Sequence, residues 1–194
     1  MTSSKKTDNH NPEAKLALRR HFLSKYDEPR SVFDCCQGGR CIWNTLDREF
    51  EVAKYFGVDL KPKKGRLRVD SVRVLMNPGW DFNVIDVDTY GEPWKHWEQI
   101  LKNATRPTTV FLTIATIKMA GGGNLSSVAQ RAIGVDRLKH VSRTMLGKLS
   151  HLATDYMIGL SLDFGRVVEA AEVENHGNAR YIGIRFCPRK NAKA

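Results

Sequence analysis

Apolar and polar positions change period several times along the chain, and each change marks an element. From Pro12, the apolar residues Ala14, Leu16, Ala17, Leu18, Phe22 and Leu23 recur at helical spacing, interleaved with Lys15, Arg19, Arg20 and Lys25. Asp27-Glu28-Pro29 closes that helix. Ser31-Val32-Phe33-Asp34 reads as a short strand ending at an acid, and after the turn Gln37-Gly38-Gly39 a helix is expected from about Cys41 to Phe50. Val52 to Asp59 is a second strand with an acidic end. Val69-Asp70 opens a short connecting element containing Val72, Val74 and Leu75. Phe82 to Asp88 is a third strand with an acidic end, followed by a helix over Trp94–Leu101. Thr109–Ala115 is the most β-rich stretch, and a helical region runs from about Ser126 to Met157. Arg166–Val173 and Ala179–Phe186 flank the turn cluster Glu174-Asn175-His176-Gly177-Asn178, which predicts a hairpin. Strands alternating with helices and then a hairpin imply an α/β sheet, parallel through most of its width and antiparallel at one edge. Residues 1–12 are polar and read as a disordered tail, leaving 13–194 as a single domain.

Composition narrows the class. The 194 residues are 41% hydrophobic and 27% charged, which excludes wholesale disorder. No apolar run approaches the roughly eighteen residues that a membrane-spanning helix needs. Lys5 and Lys6 precede no apolar segment, so no secretory signal is expected. Cys35, Cys36, Cys41 and Cys187 do not form the spacing of a disulfide framework, and a reducing, cytoplasmic setting is expected. They also lack a C-x-x-C ligand pair, so no metal is expected. Thirty-one Lys and Arg against twenty-one Asp and Glu give a net charge of +10, which favours a polyanionic partner, nucleic acid first. A plain solubility surplus is the competing explanation.

The strand ends carry the chemistry. Asp34, Asp59 and the pair Asp86/Asp88 fall at the ends of three strands, where open parallel sheets bind ligands. Asp34 precedes the small-residue turn Cys35-Cys36-Gln37-Gly38-Gly39, which admits a ligand close to the backbone. Asp59 follows 25 residues later, near the spacing at which nucleotide-binding folds place a ribose-gripping acid. The triphosphate-binding pattern G-x-x-x-x-G-K-[ST] is absent, as is a clean G-x-G-x-x-G. An acid ahead of the glycine turn suits a cofactor with a positive end better than a pyrophosphate.

This layout resembles the class I S-adenosylmethionine-dependent methyltransferases, which have a Rossmann-like fold. Val32 to Gly39 is similar to their first motif, although Cys36 and Arg40 stand where glycine is usual. Val84-Ile85-Asp86-Val87-Asp88-Thr89-Tyr90-Gly91-Glu92-Pro93 resembles the D-x-D-P-[FY]-G-x-P signature of the tRNA guanine-N2 dimethyltransferases, with Thr89 in place of the proline. The resemblance implies S-adenosyl-L-methionine as cofactor. It implies that Asp34, Cys35, Gln37 and Gly38 line the methionyl side and that Asp59 holds the ribose. Asp70 and Ser71 would lie against the adenine, with Asp86 bordering the same pocket.

It also implies N-methylation of a base in RNA or DNA. An exocyclic amine is a poor nucleophile, and a carboxylate accepting its N–H draws the lone pair toward the methyl group. Asp88 is the expected acceptor, and Tyr90 the residue that stacks on the base. The competing role for Asp86 and Asp88 is capping the next helix. For Asp34 it is stabilising the turn. Trp94 and Trp97, three apart on a helix, suit core packing better than base stacking. Lys61, Lys63, Lys64, Arg66 and Arg68 form a basic cluster beyond Asp59. The alternatives are a catalytically inactive binding or assembly module and a small-molecule methyltransferase. A homo-oligomer or a partner protein for substrate recognition fits the short chain.

Overall fold

The structure is a computed structural model that describes residues 11–61, 67–89, 92–115, 143–176 and 179–189. The tail at 1–10, Tyr90 and the start of the long helical region at 126–142 lie outside the described residues. The described elements are α1 (Pro12–Lys25), β1 (Arg30–Asp34), α2 (Cys41–Leu46), β2 (Val52–Gly57), α3 (Ser71–Met76) and β3 (Val84–Val87). They continue with α4 (Trp94–Asn103), β4 (Thr108–Ala115), α5 (Arg143–Asp163), β5 (Arg166–His176) and β6 (Ala179–Pro188).

Six strands form one sheet in the order β2-β1-β3-β4-β6-β5. β1 pairs in parallel with β2 and β3, β3 pairs in parallel with β4, and β6 runs antiparallel to both β4 and β5. This is the mostly parallel sheet with an antiparallel C-terminal hairpin that the pattern predicts. β1 and β3 are buried throughout, as strands covered on both faces must be. On one face, Val32, Val84, Phe111 and Tyr181 pack under α1 and α2. On the other, Phe33, Ile85, Val87, Val110, Leu112 and Ile184 pack against α3, α4 and α5.

Several boundaries differ from the sequence reading. α2 ends at Leu46, because Asp47, Glu49 and Phe50 turn their amides back onto Trp43 and Leu46. β2 stops at Gly57. Val58 still donates to the Asp34 carbonyl at 3.0 Å, and Asp59 then pairs only with Arg68. The cluster Glu174–His176 is strand rather than turn, since its pairing with β6 continues to His176–Ala179. Trp94 and Trp97 are fully buried, and the Trp97 indole donates to the Met157 carbonyl at 2.5 Å, so both belong to the core.

α1 docks on the sheet through Phe22, which meets Phe111 edge-on at 5.9 Å. A Cβ at Gly183 on β6 would fall 2.5 Å from the Phe22 ring, so the helix reaches the sheet only because that position is glycine. Gly183→Ala should cost about 1–3 kcal/mol by overpacking. In a thermal melt that is a fall of about 2–12 °C; an unchanged melting temperature would mean the ring yields freely.

Candidate active site

The site is built at the carboxyl ends of β1, β2 and β3. The register places Asp34 directly opposite both Gly57 and Asp86. The chain leaving β1 is tied to its neighbours by backbone bonds, Cys35 N–H to the Asp86 carbonyl at 2.9 Å and Gln37 N–H to the Val58 carbonyl at 3.0 Å. Gly38 then takes φ +45°, a left-handed conformation that glycine adopts without penalty. Arg40 also takes a positive φ, 59°, at a position where a glycine was expected. Its guanidinium lies 3.8 Å from the Tyr55 ring centroid and 3.2 Å from Asp47, contacts that hold the strained backbone.

Each expected acid has a definite set of partners. Asp59 accepts the Gly38 amide at 3.1 Å and the Lys61 amide at 2.8 Å, which ties the glycine turn to the end of β2. Its oxygens keep lone pairs for further donors. Asp70 caps α3 through the Val72 amide at 3.0 Å. Ser71 is buried and bonds through its hydroxyl to His96 Nε2 at 2.8 Å. Burial pushes His96 down to about 4, so it is neutral near pH 7. Cys35 is buried beside Ser71, and burial first, then Cys36 and Asp34, pushes its thiol up. Gln37 is buried and donates from its side chain to the Gly57 carbonyl at 2.9 Å. None of Cys35, Cys36, Cys41 and Cys187 is in a disulfide, and among the described residues no group of three His, Cys, Asp or Glu side chains is placed to hold a metal ion.

Asp86 and Asp88 do not cap α4. They are held by two cations one turn apart on α1. Arg19 grips both oxygens of Asp86, at 2.8 and 2.6 Å, and Trp43 Nε1 adds a bond at 2.8 Å. Asp86, expected to border the cofactor, is therefore occupied by protein donors on both oxygens. Lys15 donates to both oxygens of Asp88, at 2.8 and 2.6 Å. Sequence reasoning passed over Lys15, Arg19, Trp43 and Tyr55. The signal present was Lys15-x-x-Leu18-Arg19-x-x-Phe22, two cations inside a helical stripe that is otherwise buried.

Asp34 differs from its neighbours. Among the described residues its hydrogen-bond partners are the Tyr55 hydroxyl at 2.7 Å and the Cys36 amide at 3.2 Å, neither of them a cation. Burial, and after it the Asp86 carboxylate alongside, push Asp34 up to about 8. A carboxyl raised in the folded state stabilises the fold fully below its ordinary value, and that contribution is lost as pH rises through about 8. Asp34→Asn should therefore flatten the decline in stability between pH 5 and about 8 relative to wild type. Parallel urea titrations check this, and identical slopes in the two proteins would contradict it.

This architecture defines a class. The chain has the fold of the class I S-adenosylmethionine-dependent methyltransferases. No protein-family model matches the sequence, and no curated protein matches it. Among solved structures, Trm1 from Pyrococcus horikoshii in complex with S-adenosyl-L-methionine is similar over 93% of this chain, at 12% identity and a TM-score of 0.65. This chain spans 56% of that protein, little more than half its length. TYW2 from M. jannaschii, in complex with the same cofactor, is similar over 95% of this chain and 79% of its own, at 11% identity and a TM-score of 0.54. A Lactococcus lactis protein described as a hemolysin shares the fold at 8% identity and a TM-score of 0.59, over 93% and 88% of the two chains. No helix among the described residues is long and apolar enough to cross a membrane.

Proposed function

We propose that the chain is an S-adenosylmethionine-dependent methyltransferase that N-methylates a base in RNA or DNA. The observation that carries this reading is Asp34. Of the acids gathered at the strand ends, Asp86 and Asp88 are ion-paired with cations from α1, while among the described residues Asp34 is buried with no hydrogen-bonded cation. A buried carboxylate of that kind suits a ligand that brings its own positive charge, and a methionyl ammonium does so. The Gly38 turn, the Asp59 carboxylate and the Asp70-Ser71 step would take the rest of the nucleoside. The bound cofactor supplies an electrophilic methyl group on a sulfonium.

The chain's own residues then position the reaction. Asp88 accepts an N–H of the target amine and directs the nitrogen lone pair toward the methyl carbon. Asp34 and Asp59 would hold the cofactor, whose sulfonium would supply the methyl group to the nitrogen that Asp88 orients. The surplus proton on nitrogen passes to Asp88 and on to water. Tyr90 remains the proposed stacking partner of the base, and Lys61 and Arg68 the proposed phosphate contacts. A non-catalytic cofactor-binding module is the second reading. It rests on the departures from the motifs, Cys36, Arg40 and Thr89, of which Arg40 takes a positive φ where glycine is usual.

Isothermal titration with S-adenosylhomocysteine tests the pocket. Its ammonium meets Asp34 as the carboxylate, so affinity should rise by up to about tenfold per pH unit below pH 8 and level off above it. Protons should be released on binding at pH 7. Absence of binding would remove the proposal. Labelled methyl transfer to total RNA, DNA and a metabolite extract separates the substrates. Binding without transfer to any of the three would select the second reading.

A further inference from the structure

Lys15 and Arg19 sit one helical turn apart on α1, and Asp86 and Asp88 sit two residues apart at the end of β3. The helix therefore meets the strand end cation for anion. The two pairs differ in burial. Arg19 and Asp86 are almost completely enclosed, with side chains 2% and 4% exposed. Lys15 is equally enclosed at 5%, but Asp88 keeps 22% of its surface open. A buried lysine is costly unless it is paired, so its place there is a structural investment. Its ammonium also lies 5.4 Å from the centroid of the Tyr181 ring on β6, which limits where it can move.

We infer that Lys15 is a positioning residue for methyl transfer. It acts through Asp88, which makes α1 part of the machinery and not only a cover for the sheet. This rests on the assignment of Asp88 as the acceptor of the target amine. A carboxylate on a loop samples many orientations, and one with both oxygens held by a fixed ammonium does not. The remaining lone pairs stay available on the exposed side, where an amine N–H can approach. When the N–C bond forms and the C–S bond breaks, the nitrogen's proton moves to Asp88. Lys15 keeps its own protons and holds the acceptor in line while this happens. The charged and titratable groups that interact with this pair are Asp34 and Cys36 at the strand ends, Arg19 on α1 and Tyr181 on β6.

The test compares wild type, Lys15→Met, Lys15→Arg, Asp88→Asn and the Lys15→Met/Asp88→Asn double variant, with labelled methyl transfer to total RNA as the rate. Lys15→Met should lower kcat by about tenfold to a hundredfold while S-adenosylhomocysteine affinity stays within about threefold. Lys15→Arg should recover most of that loss. The double variant should be no slower than Asp88→Asn alone, because the lysine has nothing left to position. A purely structural lysine would instead lower the rate equally in both backgrounds, and that additivity would overturn the inference. A second readout needs no turnover. Acetylation by an N-hydroxysuccinimide ester, followed by mass spectrometry, should modify Lys15 at least tenfold more slowly than exposed Lys25, and Asp88→Asn should raise the Lys15 rate. Equal Lys15 rates in wild type and Asp88→Asn would mean the pair does not form in solution. A wild-type chain that transfers methyl normally alongside an unimpaired Lys15→Met sinks this inference alone. A wild-type chain that transfers no methyl sinks the proposed activity, and this inference with it.

Discussion

Replacing Arg19 with methionine is expected to lower stability by about 3–5 kcal/mol, the largest single effect this fold should show outside its apolar core. The guanidinium is 2% exposed, and it bonds both oxygens of Asp86 and the Lys15 carbonyl at 2.9 Å. It also lies 5.0 Å from the centroid of the Phe111 ring, so its carbon stem packs as well as its charge. Methionine keeps much of that volume and removes the charge. Among the described residues Asp86 then keeps the Trp43 indole as its side-chain donor, opposite Asp34, to which no cation hydrogen-bonds. Two neighbouring carboxylates in a dry site cannot both stay ionised at reasonable cost. Urea denaturation checks this. The midpoint should fall sharply with an unchanged slope, and a loss below about 1 kcal/mol would show that water reaches Asp86.

Asp88→Asn should lower the methyl-transfer rate by about a hundredfold to a thousandfold while leaving S-adenosylhomocysteine affinity nearly unchanged. The two effects separate because Asp88 is proposed to touch the incoming amine and not the cofactor. Asparagine is isosteric and its Oδ1 can still accept from the Lys15 ammonium, so the fold should survive the change, with some loss of stability from removing the lysine's counter-charge. The amide is a weaker acceptor than a carboxylate, and its NH2 end can face the amine with the wrong polarity. Equal activity in the variant would remove Asp88 from the reaction. A large loss of cofactor affinity would move it to the cofactor side of the pocket.

Much of the fold was legible because it rests on local pattern. Continuous apolar runs at Val32-Phe33 and Val84-Ile85 mark strands covered on both faces, and alternation over Arg166–Val173 marks an edge strand. That the acids Asp34, Asp59, Asp86 and Asp88 fall at neighbouring strand ends was readable because topology puts the ends of parallel strands together. The ends of α2 and β5 were not, since hydrogen bonds across the turn and the hairpin decide them.

The sequence by itself determined the order of strands and helices, the antiparallel edge, and the gathering of carboxylates at one end of the sheet. These follow from periodicity and from where acidic residues stop each apolar run. Only the tertiary structure decided which carboxylates pair with cations from α1. Lys15 and Asp88 are 73 residues apart, and Arg19 and Asp86 are 67 apart, so their pairing leaves no local trace. A cation inside a helix stripe looks like surface until the opposing acid is in place. Once α1 is docked, Asp86 becomes part of the framework, Asp88 is held from behind by Lys15, and Asp34 is left buried with hydroxyl and amide partners, its carboxyl pushed up to about 8.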